Sequence, residues 1–214
     1  MTKGNPHAVS IKYLSKDKHL GAFVKKHGPI TFRREHSMDA FQSLAEAIVY
    51  QQLSGKAAAT ILKRFVDLFN PTSPRLRRAR NFPTPENVLE IKTEKLRAAG
   101  LSGQKASYLK DLAAKFKDGT INPLLFHAMS DTEIIEHVVA VKGIGEWTAQ
   151  MFLMFTLARP DVLPTGDLGI QKAFQKVFHL RHKPTPKKME KLARCWSGHR
   201  TVACFYLWRT LDSN

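Results

Sequence analysis

Apolar residues recur at helical spacing in one segment after another, and no stretch shows the every-second-residue alternation of a half-buried strand. In MDAFQSLAEAIVYQQLS, Phe41, Leu44, Ala45, Ile48 and Val49 share one face, and in KAAATILKRFVDLF the stripe is Ile61, Leu62, Phe65, Leu68 and Phe69. An arginine-rich break follows, NPTSPRLRRARNFPTP, in which Pro83 and Pro85 mark a turn and Thr84 is placed to cap a helix. Short helices then alternate with small turns: PENVLEI, TEKLRAAGL ending at Gly100, GQKASYLKDLAAKFKDG ending at Gly119, and PLLFHA. Ser130 with Glu133 forms a capping-box pattern ahead of SDTEIIEHVVA. VKGIGEWTAQMFLMFTLA, DLGIQKAFQKVF, TPKKMEKLARCWSG and HRTVACFYLWRTL complete the pattern. The expectation is an all-α protein of roughly ten helices, without internal repeats or a long low-complexity linker.

The chain has 214 residues, enough for one substantial core or two lobes. No stretch approaches the roughly 18–20 consecutive apolar residues of a bilayer span, and MTKGNPHAVSIKYLSKDKHL lacks the apolar run of a secretory signal. A soluble intracellular protein without a membrane partner is expected. The two cysteines, Cys195 and Cys204, fall on one expected helix and read as core thiols of a reducing compartment. Two thiols fall short of an iron–sulfur cluster's ligand set, and no zinc-type spacing occurs.

Charge narrows the partner. With 34 Lys and Arg against 18 Asp and Glu, the formal net charge is +16. A surplus of that size points to a polyanion: nucleic acid first, an acidic membrane surface second. The basic residues are spread along the chain, so folding has to assemble the patch.

Residues 137–155, HVVAVKGIGEWTAQMFLMF, place two helices around Val141-Lys142-Gly143-Ile144-Gly145. The two glycines permit a sharp turn and close backbone approach. The second helix begins just after Gly145, where free N–H groups and the helix dipole favour an anion. A DNA phosphate fits that nest, with Lys142 adding a point charge. A bare Gly-x-Gly is more often an ordinary helix–helix turn; the +16 charge and the long apolar helix that follows favour the phosphate reading here.

VKGIGEWTAQMFLMF resembles the helix-hairpin-helix of the HhH-GPD superfamily of DNA glycosylases. That family is marked by a hairpin, a Gly/Pro-rich loop and an aspartate in order, and Arg159-Pro160-Asp161-Val162-Leu163-Pro164-Thr165-Gly166 followed by Asp167 matches the last two. IVYQQLSGKAA is similar to the segment that family members push into the minor groove, FPTPENVLEIKTEKLRAAGLSGQKASYLKDLA to their middle helices, and HLGAFVKKHGP to their first. The likeness runs from about Lys18 to Trp208 and is strongest to the yeast-type alkyladenine (3-methyladenine) branch. It implies two helical lobes with a basic cleft between them: a central lobe over 39–160, and a terminal lobe formed by 1–38 with 161–214.

The resemblance also implies roles. Asp167 matches the catalytic aspartate; one carboxylate beside the anomeric carbon stabilises an oxocarbenium ion and orients water. Read alone, Asp167 is a helix N-cap, a duty compatible with staying ionised. Lyase-type members carry a lysine two residues after the second hairpin glycine; here that residue is Trp147, which offers no amine nucleophile. Trp147, Trp208 and Tyr50 map to an aromatic base pocket suited to electron-poor alkylated purines, core packing being the alternative for each. Leu53 fits the wedge that fills the gap left by a flipped base, or is an ordinary leucine at a helix end. Gln52, Ser54 and Lys56 flank it on the DNA-facing segment, and the backbone N–H groups of Gly143, Gly145 and Thr148 match phosphate contacts, beside the charge of Lys142. Carbonyls of Val139, Val141 and Ile144 match a site for a monovalent cation, Na+ or K+; no other cofactor is expected.

The chain departs from the family pattern twice. Ser54-Gly55 stands where relatives often carry a larger groove-probing residue, and Trp196-Ser197-Gly198-His199-Arg200-Thr201 keeps the arginine of Trp-x-Pro-Tyr-Arg-Ser without its Pro-Tyr. Both departures touch the expected DNA-reading surface rather than Asp167. The leading expectation is a monofunctional DNA-3-methyladenine-type glycosylase that acts on double-stranded damaged DNA as a monomer, in the nucleus of a eukaryote or otherwise in the cytoplasm or nucleoid. A non-catalytic or weakly catalytic reader of abasic or distorted DNA is the second. A hairpin protein that merely bridges backbones is the third, and it has no use for Asp167 or Trp147.

Overall fold

A computed structural model of the chain describes residues 5–30, 39–69 and 82–211. The described residues hold twelve α-helices and no strand. They are α1 (Ala8–Leu14), α2 (Gly21–His27), α3 (Ala40–Tyr50), α4 (Gly55–Asp67), α5 (Pro85–Glu90), α6 (Thr93–Ala98), α7 (Gly103–Lys117), α8 (Asp131–Val139), α9 (Glu146–Met151), α10 (Leu168–Val177), α11 (Pro186–Leu192) and α12 (Arg200–Arg209). The arginine-rich part of the break, 70–81, lies outside the described residues.

Local chemistry sets the helix starts. Asp39 caps α3 by accepting from the Phe41 N–H at 3.2 Å. Thr84 and Asn87 cap α5 reciprocally, and Ser130 and Glu133 do the same for α8. Each pair satisfies two N–H groups that a helix start leaves without acceptors. The α3 stripe is buried as its spacing predicts, with Phe41, Leu44, Ala45, Ile48 and Val49 all at the core. On α4 only Ala58 and Phe65 are fully buried, and the helix ends at Asp67. Leu68 therefore leaves the stripe and is exposed. PLLFHA holds only a 3-10 turn over Pro123–Leu125. The helix after the hairpin is α-helical to Met151 and widens to a π-turn over Phe152–Thr156.

The chain divides into two compact units: Ser37–Phe152, and Met1–His36 with Leu153–Asn214. The second unit begins eight residues before the boundary read from sequence (161 − 153). Its hydrogen bonds show why, since the Thr201 hydroxyl donates to the Arg159 carbonyl at 2.6 Å and the Thr201 N–H to the Pro160 carbonyl at 3.1 Å. In the Ser37–Phe152 unit α7 is the central helix, burying Ala106, Leu109, Leu112 and Ala113. In the other unit Phe174 of α10 packs on the fully buried Trp196, and α12 buries Val202, Ala203, Cys204, Tyr206 and Leu207.

Cys195 and Cys204 do not share a helix. Cys195 sits in a 3-10 turn over Ala193–Trp196, and Gly198, at φ +80°, breaks the chain before α12 begins. Cys195 is also exposed, so only Cys204 is a core thiol.

Candidate functional site

Within the Ser37–Phe152 unit, the turn between α3 and α4 displays side chains outward. Tyr50 closes α3, and both Tyr50 and Leu53 are 40% exposed. Gln52 between them is left-handed, at φ +56°, a region that non-glycine residues seldom occupy. Ser54 caps α4, its hydroxyl accepting from the Ala57 N–H at 3.4 Å. Lys56 is exposed in the first turn of α4.

The hairpin lies in the same unit. The Val141 N–H donates to the Val138 carbonyl at 3.2 Å, and the Ile144 N–H to the Val141 carbonyl at 3.1 Å. Val141 and Ile144 anchor it in the core, whereas the side chain of Val139 is exposed. Gly143 sits at φ +82°, and a Cβ there would come within 2.1 Å of Tyr108 Cδ2. The residue must therefore be glycine on two counts, dihedral and space. Gly145 is different. Its φ of −98° and ψ of 173° suit any residue, and nothing within 4 Å would oppose a side chain. As N-cap of α9 it presents N–H groups without intrahelical acceptors. Trp147, in the first turn of α9, is 51% exposed and so is not a core tryptophan; Thr148 beside it is buried.

Residues of α7 that sequence reading passed over support both features. Asp111 accepts from the Lys142 N–H at 2.8 Å, and its carboxylate lies 4.0 Å from Lys142 Nζ and 3.7 Å from Lys115 Nζ. Tyr108, whose hydroxyl accepts from Gln104 at 2.5 Å, is the ring against Gly143. Lys105 donates to the carbonyls of Val49 and Gln51 at 2.7 and 2.8 Å, and burial holds its amine below the usual lysine range. Gln51 in turn donates through Nε2 to the Gly143 carbonyl at 2.8 Å. Lys105 carried a sequence signal: it falls four and seven residues before Leu109 and Leu112, on the buried stripe, where an ammonium must find oxygen atoms. Lys110, on the same helix, caps the end of α5 through the Leu89 and Ile91 carbonyls.

In the unit formed by the two chain ends, Asp167 caps α10. Its Oδ1 accepts from the Ile170 N–H at 2.7 Å and from the Trp208 indole N–H at 3.0 Å. Gly169 makes this approach possible, since a Cβ there would lie 3.0 Å from Asp167 Oδ1 and 3.1 Å from Trp208 Cδ1. Trp208 is half-buried, lies nearly parallel to Phe155 at 6.3 Å between centroids, and meets the edge of Phe205 at 5.7 Å. Phe155 is exposed and was missed because FLMF reads as ordinary core. Leu168, directly after the carboxylate, is 62% exposed.

The loop leading to Asp167 is anchored from α12. Arg200 grips Asp161 through two bonds, Nε to Oδ1 at 2.7 Å and Nη2 to Oδ2 at 2.5 Å. The Val162 N–H donates to the Thr201 hydroxyl at 3.0 Å. Burial raises the Asp161 carboxyl, but the hydrogen bonds and charge of Arg200 outweigh it and hold the group below the usual carboxylate range. Of the segment Trp196–Thr201, expected on the DNA-reading surface, Ser197 and Gly198 are exposed while the rest packs within the protein. Trp196 is core, His199 packs against Tyr13 at 4.5 Å between ring centroids, and Arg200 is committed to the loop.

The sequence-selected residues therefore fall into two groups. Tyr50, Gln52, Leu53, Ser54, Lys56, Val139, Val141, Lys142, Gly143, Ile144, Gly145, Trp147 and Thr148 belong to the Ser37–Phe152 unit, while Asp167 and Trp208 belong to the other and are in direct contact. A glycine hairpin between helices, with a proline- and glycine-bearing loop and a helix-capping aspartate after it, defines a helix-hairpin-helix repair scaffold. The chain belongs to the HhH-GPD superfamily of base excision DNA repair proteins, whose family signature matches residues 45–198. It is 35% identical over 184 residues to DNA-3-methyladenine glycosylase 1 of Schizosaccharomyces pombe, covering 84% of this chain and 77% of that one. It is 30% identical over 193 residues to the putative DNA-3-methyladenine glycosylase YfjP of Bacillus subtilis, covering 90% of this chain but 66% of the relative. Among solved structures it is similar to the S. pombe 3-methyladenine DNA glycosylase Mag1 in complex with abasic DNA, with a TM-score of 0.77, 33% identity, and 95% and 97% of the two chains covered.

Proposed function

We propose that this protein is a monofunctional DNA glycosylase of the DNA-3-methyladenine type, acting in base excision repair on double-stranded damaged DNA. The observation that carries the reading is Asp167, a helix-capping carboxylate whose Oδ1 is fixed by the Ile170 and Trp208 N–H donors. Membership of the superfamily and the glycosylase relatives support the same reading.

In this reading the hairpin N–H groups of Gly143, Gly145 and Thr148 hold a phosphate, with Lys142 beside them. Leu53 fills the gap left by the extruded nucleotide, and Gln52, Ser54 and Lys56 flank it on the DNA. Trp147, Trp208 and Tyr50 offer aromatic faces to the electron-poor base. As the N-glycosidic bond breaks, the base leaves with the bonding electrons. Asp167 stabilises the cationic sugar, and water adds to the anomeric carbon. No lysine stands at Trp147 to form a Schiff base, so the strand stays intact.

The carbonyls of Val139, Val141 and Ile144 suit a Na+ or K+ ion. They are hard oxygen donors in the hairpin and at the C-terminal end of α8, where the helix dipole favours a cation. The ion would tie the hairpin to a phosphate. We place the protein at DNA as a monomer, in the nucleus of a eukaryote or in the cytoplasm or nucleoid of a prokaryote. Among the described residues no helix is long and apolar enough to cross a membrane.

A second reading, a reader of abasic or distorted DNA on the same fold, is favoured by one observation. The Ser54 hydroxyl is spent capping α4 and is a short probe of the groove. Single-turnover base release from an alkylated duplex decides between them, with Asp167→Asn and abasic-site binding measured alongside. Release that vanishes in the variant while abasic affinity persists is expected of the glycosylase. Tight abasic binding with no release from any alkylated base overturns it in favour of the reader.

A further inference from the structure

The turn that carries Leu53 is strained, and the strain has identifiable holders. Gln52 keeps φ +56° without the freedom of glycine. A conformation of that kind persists only where its surroundings over-determine it, and such residues cluster at functional sites. Three contacts supply the constraint here. Lys105 Nζ bridges the carbonyls of Val49 and Gln51 at the end of α3. The Leu53 N–H donates to the Tyr50 carbonyl at 3.3 Å. The Gln51 side chain reaches across 92 positions of sequence to the Gly143 carbonyl.

The far end of that link is rigid as well. Gly143 is pressed against the Tyr108 ring, and Asp111 holds the Lys142 N–H. Lys105, Tyr108 and Asp111 follow one another at three-residue steps along α7, so one helix braces both the turn and the hairpin.

We infer that Lys105 and Gln51 are positioning residues that lock the Leu53 turn to the Gly143 hairpin, so that a hairpin seated on a phosphate holds Leu53 in the pose that extrudes a nucleotide. The inference rests on the proposed assignment of hairpin and wedge to DNA. Neither residue needs to touch the reacting atoms. Their loss frees the turn to relax while the hairpin, still supported by Tyr108 and Asp111, keeps its grip on the backbone.

The test uses the full chain and a duplex carrying 2-aminopurine beside a 7-methylguanine, because the probe brightens when its neighbour unstacks. Fluorescence, base release and affinity for an undamaged duplex are read on wild type, Lys105→Met, Gln51→Ala and Lys105→Arg. The expected result is a fall of about tenfold in the extruded fraction for Lys105→Met and Gln51→Ala, the scale of one lost hydrogen bond to a charged or strained partner. Undamaged-duplex affinity stays within about twofold, a difference of under half a kcal/mol. Lys105→Arg, which still donates to two carbonyls, recovers extrusion. Wild-type extrusion in both variants overturns the inference, as does loss of extrusion in step with undamaged-duplex affinity, the mark of plain scaffolding. A wild type that never brightens the probe overturns it too. A wild type that brightens the probe yet releases no base leaves the inference standing and removes the glycosylase reading instead. Gln51→Ala keeps the test open should Lys105→Met fail to fold.

Discussion

The two hairpin glycines separate the demands of the fold from those of a ligand. Gly143→Ala meets two costs inside the protein. Its backbone is left-handed, which penalises an L-residue by roughly 1–2 kcal/mol. Its new methyl also lands 2.1 Å from Tyr108 Cδ2, and such overpacking costs about 1–3 kcal/mol. Turning the ring does not clear the clash, because Tyr108 Cγ at its root would also lie 2.8 Å from the new methyl. Together the costs reach about 2–5 kcal/mol, or a fall in melting temperature on the order of 4–20 °C for a chain of this size. Gly145→Ala meets neither, since φ is −98° and the Cβ position is open. It should melt at or slightly above wild type, stabilised by up to about 1 kcal/mol through a stiffer unfolded chain. Its affinity for duplex should nevertheless fall, because only a closely approaching backbone needs that position bare. Thermal unfolding and fluorescence anisotropy with a labelled duplex read both variants. A wild-type melt for Gly143→Ala would refute the steric argument. Undiminished duplex affinity for Gly145→Ala would refute the view that Gly145 is kept bare for a phosphate backbone.

Trp208→Phe keeps a ring against Phe155 but deletes the indole donor to Asp167 Oδ1. Base release should slow about tenfold, the scale of a hydrogen bond to a charged group, with abasic-site affinity kept; unchanged release would mean that the donor does not hold the carboxylate. Arg200→Ala should destabilise the terminal unit at neutral pH. The Asp161 pKa is lowered in the fold, so the pair's stabilisation is present above the unfolded carboxylate value of about 3.9 and is lost as pH falls through the lower folded value. Denaturant titrations across acid pH should therefore show the variant losing less stability than wild type; parallel curves would detach Asp161 from Arg200.

Periodicity and capping made most of the fold legible. The α3 stripe, the Thr84 and Ser130 caps and the start of α10 at Asp167 all follow from residue type and spacing. The hairpin glycines and Asp167 were legible as candidates because their chemistry is local. What escaped was long-range. Nothing near Arg200 in sequence announces Asp161, 39 positions away, and nothing near Gln51 announces Gly143. The Ser197-Gly198 break that separates Cys195 from Cys204 was present as a turn signal but was outweighed by the helical pattern on either side. Lys105 and Lys110 are the instructive misses. A lysine on an apolar stripe passes for a solvated cation, yet burial obliges its ammonium to find carbonyls, and helix ends are where unpaired carbonyls are found.

Asp167 shows why a capping role and a chemical role reinforce each other, and how to separate them. The carboxylate caps α10 through the Ile170 N–H, and the same oxygen takes the Trp208 N–H. A group that must stabilise a cationic sugar has to be fixed in orientation, and two N–H donors converging on one oxygen fix it. An alanine there loses charge and cap together, so lost base release would be confounded by about 1 kcal/mol of lost helix stability. Asparagine caps as well as aspartate and accepts from Ile170 and Trp208 through its amide oxygen, but carries no charge. If charge is what the site needs, Asp167→Asn should melt with wild type and release no base, while Asp167→Ala should lose both. Base release that survives in the asparagine variant would reduce Asp167 to a cap.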